Sequence, residues 1–244
     1  MSQTSNKTSS IKAMILAAGR GKRLRPITDT TPKPLVPVCG KPLIEYHIEK
    51  LAKAGVNEII INHAWLGEKI EAQLGDGARW NVKIYYSAEP EGGLETAGGI
   101  INALPLLGDK PFLVINGDVY CEMEFDSLVN KAKSLAEMNG QISTENMGHL
   151  VLVPNPAHNL KGDFGLDAQN KVEAQGDYTF AGISILRPEL FNGMEVDFVP
   201  LAPILRQAMQ NKKISGQLEY GLWSDVGTLE RLQETERLIT KGHS

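Results

Sequence analysis

The sequence predicts an α/β fold in which a mostly parallel sheet is covered by helices on both faces. Short apolar runs rich in β-branched residues alternate with stretches of helical period through the first half of the chain. The run Ile59-Ile60-Ile61 is typical of a central parallel strand, whereas residues 82–87 alternate between apolar and polar. A basic, glycine-rich stretch directly follows the first run, at the sheet edge where ligands of such folds bind.

In chain order, the first half predicts strands that are separated by helices. The strands are expected at residues 11–16, 57–62, 82–87 and 111–116. The helices are expected at residues 42–54, 66–74 and 96–107. Gly55 and Gly75 directly follow the first two helices and favour their termination. Each helix therefore returns the chain to the start of the next strand.

The second half of the chain is less regular. Helices are predicted at residues 125–135, 201–210 and 228–239. Strands are predicted at residues 149–153, 162–165, 178–186 and 218–225. We find no internal repeat or linker, so residues 11–244 are expected to form a single domain. Residues 1–10 are polar, lack the apolar core of a signal peptide and are expected to be a disordered extension.

Composition narrows the possible functions. The chain has 244 residues, 42% of them apolar, and its net charge of −4 argues against a nucleic-acid surface. The sequence contains no apolar run of about 18 residues, so it does not predict a membrane-spanning helix. Only Cys39 and Cys121 are present, without metal-like spacing, which favours a reduced, cytoplasmic protein. We expect small-molecule substrates, no nucleic-acid or membrane partner, and a chain that can act as a monomer.

Residues 16–26, here called the phosphate loop, carry the most specific pattern. Glycines let the backbone approach a ligand and turn its N–H groups toward it, and the cations supply charge that a triphosphate needs. The pattern is not a Walker loop, because Gly21-Lys22 is followed by Arg23 instead of Ser or Thr. It is not a dinucleotide fingerprint either, because Leu24 stands where a third glycine is needed. A dinucleotide-dependent oxidoreductase is thereby excluded.

The phosphate loop resembles the signature of the sugar-1-phosphate nucleotidyltransferases, Leu-Ala-x-Gly-x-Gly-x-Arg-Leu-x-Pro-x-Thr followed by Pro-Lys-Pro-Leu. Every fixed element is present, including Thr28 and Lys33. The resemblance implies a Rossmann-like nucleotidyltransferase fold and attack of a sugar 1-phosphate on the α-phosphorus of a nucleoside triphosphate, with release of pyrophosphate. It implies catalytic roles for Arg23, Lys33 and Asp118. The nucleotide contacts that it implies in this region are Ala17, Ala18, Gly19, Gly21, Arg23 and Lys33.

Asp118 and Asp225 form the predicted metal site. Each follows an apolar strand and has a glycine close by in sequence. In the resembled family, an aspartate at the first position and another in a late Asp-Val-Gly-Thr segment hold magnesium, and residues 225–228 match that segment. Mg²⁺ prefers a few carboxylates and leaves room for water and phosphate oxygens. Without the resemblance, both aspartates are more simply explained as turn or cap residues.

Residues 87–99, here called the base loop, resemble the segment that reads the base in this family. Glu89 stands where many relatives place a glutamine toward a pyrimidine. A carboxylate can accept the ring N–H of uracil, and the Gly93 backbone could donate to a ring carbonyl. UTP is therefore the expected nucleotide. Guanylyl and thymidylyl transfer stay open, because a carboxylate also suits guanine.

The part of the sequence expected to bind the sugar phosphate, here called the sugar side, contains fewer recognisable motifs. The second half lacks the Glu-Lys-Pro segment whose lysine meets the sugar phosphate in many relatives. Its residues 155–164 instead resemble a subgroup that acts on N-acetylmuramate 1-phosphate in bacterial cell-wall recycling. The substrate contacts expected from this resemblance are Asn155, Gly162, Asp163 and Gly182. A direct role for His158 stays open.

Other readings of the sugar side remain. Transfer to mannose or heptose 1-phosphate from GTP, or to glucose 1-phosphate from dTTP or UTP, would use the same motifs. A non-catalytic nucleotide-sugar sensor is a further alternative, but it would be expected to lack one of the functional cations or aspartates. For the carboxylate of a muramyl sugar, Lys161 and Arg206 are the cations to test, on charge alone.

Overall fold

The computed structural model describes residues 11–137 and 146–242, so the predicted extension at residues 1–10 lies outside the described residues. In the first part, the strands are β1 (Ala13–Leu16), β2 (Pro37–Val38), β3 (Lys41–Pro42), β4 (Glu58–His63), β5 (Lys83–Ala88), β6 (Phe112–Asn116) and β7 (Val119–Cys121). The helices there are α1 (Ile27–Thr30), α2 (Leu43–Lys53), α3 (Gly67–Leu74), α4 (Glu95–Leu107) and α5 (Asp126–Glu137).

The second part continues with more strands and two longer helices. Its strands are β8 (Gly148–Pro154), β9 (Phe164–Leu166), β10 (Val172–Leu186), β11 (Ile214–Leu218) and β12 (Trp223–Asp225). Its helices are α6 (Leu201–Gln210) and α7 (Leu229–Gly242). None of the helices in the described part of the chain has the length and apolar character needed to cross a bilayer.

An eight-stranded sheet runs through the molecule in the order β11-β8-β10-β6-β1-β4-β5, with β9 paired to β10. Strand β1 lies parallel to β4 and β6, β4 to β5, and β8 to β11. Strand β10 is antiparallel to both β6 and β8. The predicted mostly parallel α/β sheet is confirmed. Strand β10, in the middle of the sheet, runs in the opposite direction to its neighbours β6 and β8.

Apolar layers cover both faces of this sheet. On one face, Ile48 of α2 and Leu128 of α5 belong to the same buried cluster as Ile15 of β1. On the other face, Leu205 of α6 packs in a cluster with Met14. The neighbours Met14 and Ile15 therefore point to opposite sides, as the pleat of a strand requires. The prediction of helices on both faces is confirmed.

Strands β7 and β12 form a separate antiparallel ribbon at the carboxyl edge of the sheet. The ribbon pairs Asp225 with Val119, and it packs on α7 through a cluster that contains Tyr120 and Leu232. This pairing brings the end of the chain back to the residues that follow β6.

Two predicted elements differ from the structure in the second half. The strand expected at residues 218–225 is divided, because β11 pairs with β8 in the main sheet whereas β12 pairs with β7 in the ribbon. Strand β10 begins at Val172 instead of residue 178, because its first part pairs with β9 and only its later part reaches β6. In the first case the partner strands are distant in sequence, whereas β9 directly precedes β10.

Candidate active site

An open cleft of about 520 Å³ lies at the carboxyl ends of β1, β4 and β6. This is the edge at which parallel sheets bind ligands. The phosphate loop forms one wall, and the base loop forms the other. All predicted nucleotide-binding residues line the cleft, namely Ala17, Ala18, Gly19, Gly21, Arg23, Lys33, Glu89 and Gly93.

The phosphate loop is shaped by a contact that only glycine permits. Gly21 has a φ of +66°, and a Cβ there would lie 2.9 Å from Cγ2 of Thr28 and 3.0 Å from Cβ of Lys33. The Thr28 hydroxyl donates to the Gly21 carbonyl at 2.8 Å. The threonine of the signature therefore holds the turn, and the turn packs directly on Lys33.

Lys33 and Asp118 form an ion pair at the floor of the cleft. The Lys33 side chain is 9% exposed, and its Nζ lies 2.5 Å from Oδ2 of Asp118. A buried ammonium needs such a partner to offset the loss of hydration. The predicted catalytic lysine and the predicted metal-binding aspartate are thus in direct contact.

The structure also brings Asp118 and Asp225 together. The Val226 N–H donates to the Asp118 carbonyl at 2.8 Å, next to the ribbon that carries Asp225. Within the described residues, no group of three or more His, Cys, Asp or Glu side chains could hold a metal ion. Two aspartates on adjoining backbone segments suit Mg²⁺, because this ion takes its remaining ligands from water and phosphate oxygens. The donor set therefore fits the predicted cofactor.

Two basic side chains accompany Asp225. Arg231 Nη1 lies 3.1 Å from Oδ2, and His158 Nε2 lies 3.0 Å from Oδ1. Our sequence reasoning missed Arg231. It lies just beyond the Asp-Val-Gly-Thr segment, in the first turn of α7, so its closeness in sequence to Asp225 could have identified it.

Glu89 is held in place by two donors. Asn62 Nδ2 donates to Oε1 at 2.6 Å, and the Leu94 N–H donates to Oε2 at 2.9 Å. Burial raises the pKa of the Glu89 carboxyl, whereas these two hydrogen bonds act in the opposite direction. The Gly93 N–H donates to the Pro90 carbonyl at 2.8 Å, so it is not free for a base in this conformation, contrary to expectation.

Trp65 was expected to be a packing residue, and it also lines the cleft. Its Nε1 donates to the Thr28 carbonyl at 3.1 Å, and the Arg20 guanidinium lies 4.1 Å from its ring centroid. Arg20 and Arg23 both line the cleft, and the Arg20 guanidinium is also engaged by an aromatic face. Other lining residues that escaped prediction include Asn62, Asn116 at the end of β6 and the exposed Phe198.

Residues 155–163, here called the sugar loop, are fixed by side-chain hydrogen bonds. Asn155 Oδ1 accepts from the Thr179 hydroxyl at 2.8 Å, and Asp163 Oδ2 accepts from the Phe180 N–H at 2.9 Å. Asn159 donates to both Asp163 and Thr179. The predicted substrate residues Asn155 and Asp163 thus belong to one network.

The other predicted substrate residues are glycines at close contacts. Gly162 has a φ of +66°, and a Cβ there would lie 2.9 Å from the Tyr178 nitrogen. Gly182 has a φ of +71°, and a Cβ there would lie 2.7 Å from Nδ2 of Asn116. Gly182 thereby borders a residue of the cleft, although none of the four predicted substrate residues is part of its wall among the described residues.

The two second-half cations chosen on charge have different surroundings. Arg206 lies over the Phe164 ring, 5.4 Å from the centroid, and its Nε is 3.5 Å from the Ala174 carbonyl. Lys161 is exposed on the sugar loop, which contacts the predicted metal-binding residue Asp225 through His158. Of the two, Lys161 is the better placed to meet a substrate.

Two histidines are buried outside the cleft lining, one on each half of the chain. His47 of α2 lies with Nε2 2.7 Å from the Val119 carbonyl, and burial lowers its pKa to about 4. His149 of β8 contacts Ser215 and Gln217 on β11, and burial lowers its pKa to about 4 as well. Both side chains are therefore neutral at physiological pH.

Comparison with known sequences gives a consistent result. Residues 12–147 match the family model described as nucleotidyl transferase. Over 233 residues, the chain is 55% identical to the N-acetylmuramate alpha-1-phosphate uridylyltransferase of Neisseria meningitidis serogroup B, covering 93% of this chain and 98% of that protein. It is 35% identical to the mannose-1-phosphate guanyltransferase of Hypocrea jecorina, covering 89% of this chain and 61% of that longer protein.

Comparison with solved structures supports the fold. A Bacillus anthracis protein described as a glucose-1-phosphate thymidylyltransferase, in complex with sucrose, superimposes with a TM-score of 0.79 at 21% identity, covering 94% of this chain and 95% of that one. HddC from Yersinia pseudotuberculosis, complexed with GMP-PN, gives a TM-score of 0.73 at 22% identity, covering 94% and 99%. At these identities the likeness concerns the fold alone.

Proposed function

Because the chain belongs to the nucleotidyl transferase family, we propose that it joins UTP to a sugar 1-phosphate and releases pyrophosphate. The proposed sugar is N-acetylmuramate 1-phosphate, which would place the enzyme in cytoplasmic cell-wall recycling. The 55% identity to a uridylyltransferase of that specificity supports both the base and the sugar. The observation that carries the proposal is the Lys33–Asp118 ion pair in the cleft beside the phosphate loop, next to the ribbon strand that carries Asp225. The continuous sheet supports residues 11–244 as a single catalytic domain.

The phosphate loop would hold the triphosphate. Its glycines leave room for the phosphates to approach the backbone, and Arg23 on the cleft wall would stabilise the charge that develops on the departing pyrophosphate. A sugar-phosphate oxygen would attack the α-phosphorus directly, so no protein nucleophile is needed. Catalysis then consists of positioning and charge neutralisation.

The floor of the cleft would neutralise the reacting phosphates. Asp118 and Asp225 would hold Mg²⁺, which when bound polarises the α-phosphate and orients the reacting oxygens. The Lys33 ammonium pairs with Asp118 in the free chain. If Mg²⁺ bound Asp118, the Lys33 ammonium would be free to contact a phosphate oxygen instead of this carboxylate.

Glu89 would read the base. With one donor on each oxygen, the carboxylate keeps capacity to accept the ring N–H of uracil. Guanylyl transfer is the second candidate, because guanine also presents a ring N–H and because the Hypocrea jecorina relative is a guanyltransferase. The two candidates differ in the nucleotide and share the site.

Pyrophosphate release tests the proposal. UTP, GTP, dTTP and CTP would each be combined with the 1-phosphates of N-acetylmuramate, N-acetylglucosamine, glucose and mannose, with and without Mg²⁺. We expect the highest kcat/KM for UTP with N-acetylmuramate 1-phosphate, and loss of turnover when the metal is chelated. A preference for GTP and mannose 1-phosphate would overturn the base and the sugar together. Absence of release with every pair would favour the sensor.

A further inference from the structure

Asn62 is a buried polar residue at the point where the two walls of the cleft meet. It lies near the end of β4, directly after a run of three buried isoleucines, and it is only 3% exposed. Its Oδ1 accepts the Ala17 N–H of the phosphate loop at 2.8 Å. Its Nδ2 donates to Oε1 of Glu89 in the base loop at 2.6 Å. One amide therefore joins both loops and satisfies its own buried polar atoms.

The neighbouring helix is shaped to admit this contact. A Cβ at Gly99 of α4 would lie 2.8 Å from Nδ2 of Asn62 and would overlap Oε1 of Glu89. The second carboxylate oxygen accepts the Leu94 N–H at 2.9 Å. Glu89 is thus fixed at both oxygens, and its side chain still lines the cleft.

We propose that Asn62 is a positioning residue that sets base selection by holding Glu89 as a charged acceptor. The inference rests on the proposed function and concerns how the base is chosen. Uracil presents a ring N–H at position 3, whereas cytosine presents a bare ring nitrogen there. A charged carboxylate accepts from the first and repels the second, whereas a protonated carboxyl could donate to cytosine.

The surroundings of Glu89 show why the amide is needed. Burial alone raises the pKa of Glu89 and so favours the protonated form that would accept cytosine. The Asn62 hydrogen bond opposes that rise, and it also fixes the direction of the carboxylate. Loss of the amide should therefore weaken UTP binding and relax the discrimination against CTP.

The first test compares Asn62→Ala with a matched control. Asn102 is a half-buried amide on the same helix as Gly99, and its Nδ2 contacts Ser87 Oγ at 3.0 Å and the Ala88 carbonyl at 3.2 Å, next to Glu89 in sequence. We expect Asn62→Ala to lower kcat/KM for UTP by about tenfold or more, mainly through KM. Its preference for UTP over CTP should fall by a similar factor. Asn102→Ala should keep that preference within about twofold of the unmodified enzyme.

A double-mutant cycle separates positioning from a purely structural role. Glu89→Gln removes the charge on which Asn62 is proposed to act, so adding Asn62→Ala should then change the UTP preference little. Gly99→Ala places a methyl group against Nδ2 of Asn62 and should reproduce the loss of preference for UTP over CTP. This variant keeps the test available if Asn62→Ala does not fold. The inference is overturned if UTP and CTP use fall equally, or if the effect persists in full with Glu89→Gln. Unchanged preference in Gly99→Ala would overturn it as well.

The unmodified enzyme distinguishes this inference from the proposed function. If the unmodified enzyme prefers GTP, the uridylyl proposal fails. The role of Asn62 is then tested by the effect of Asn62→Ala on the preference for GTP over ATP. Guanine carries a ring N–H at position 1, where adenine carries a bare nitrogen, so the same logic applies. If it prefers CTP or ATP, the role of Asn62 is overturned.

Discussion

The two sides of the cleft are built in different ways. On the nucleotide side, residues 11–121, the functional groups stand at the ends of parallel strands or in the turns that directly follow them. On the sugar side, residues 146–242, they stand on the sugar loop and on a ribbon strand that returns from the far end of the chain. The first side is positioned by regular βα units, and the second by side-chain hydrogen bonds and long-range pairing.

This difference has a consequence for how each side can change. A strand-end residue such as Asp118 or Asn62 is fixed by the sheet itself, so its position tolerates changes in the surrounding loops. The sugar loop depends on hydrogen bonds among Asn155, Asn159 and Thr179, and it contacts the proposed metal-binding residue Asp225 through His158. We therefore expect perturbations of the strand-end residues to affect nucleotide use and turnover, and perturbations of the sugar loop to alter selectivity for the sugar.

The largest expected effect is on acid stability, and it involves both sides. His47 and His149 are buried with pKa values of about 4, below the value of about 6.5 in an unfolded chain. Since the unfolded state binds the proton more readily, stability is full above pH 6.5 and falls as pH drops toward 4. Each histidine contributes roughly 3 kcal/mol to this loss. Urea unfolding between pH 7.5 and 4.5 measures it.

His47→Gln and His149→Gln identify the source of that loss. Each variant should show a flatter pH dependence than the unmodified chain, because glutamine does not titrate. If only the His47 variant flattens the curve, the nucleotide side alone sets acid stability. An unchanged slope in both variants would refute the assignment.

The next largest effect concerns the two carboxylates, one from each side. Asp118→Asn and Asp225→Asn keep the size of the side chain but remove its charge. We expect turnover to fall by at least about a hundredfold in each case, the cost of losing one strong electrostatic contact. Asp118→Asn should also lower the thermal stability, because the buried Lys33 ammonium loses its charged partner. Near-normal Mg²⁺-dependent turnover in either variant would contradict the metal assignment.

The cations of the nucleotide side should differ among themselves. Arg23→Ala and Lys33→Ala should each reduce kcat by about thirtyfold, roughly 2 kcal/mol for a hydrogen bond to a charged group. Arg20→Ala is the control, because its guanidinium lies on the Trp65 ring and should cost only a few fold. Steady-state kinetics with UTP measures all three. Equal, mild effects would mean that the phosphate loop is only a basic surface.

Sequence reasoning succeeded where position follows from local pattern. The strand ends at Leu16 and Asn116 and the residues just beyond them could be predicted, because apolar runs and glycines mark where a parallel strand stops. The two aspartates were brought together only by the family motif, since nothing local shows that β12 pairs with β7.

What escaped prediction depends on tertiary contacts. Asn62 looks like a strand residue until its two partners are known, and the split of residues 218–225 between two sheets depends on distant partners. Arg206 was chosen for its charge, yet the fold places it on Phe164. A charge count cannot show which way a helix turns its side chains.

The smallest expected effect tests the sugar side for selectivity. N-acetylmuramate 1-phosphate differs from N-acetylglucosamine 1-phosphate by a lactyl ether that carries a carboxylate, and an exposed cation on the sugar loop could pair with it. We expect Lys161→Ala to weaken binding of the muramyl substrate by about 1.5 kcal/mol, or about tenfold, and to leave the glucosamine substrate unaffected. Arg206→Ala serves as the control, because Arg206 is engaged by Phe164 and the Ala174 carbonyl. Calorimetric titration of both sugar phosphates measures the difference. If Lys161→Ala weakened both sugars equally, the lysine would serve the shared phosphate, and selectivity would have to come from shape instead of charge.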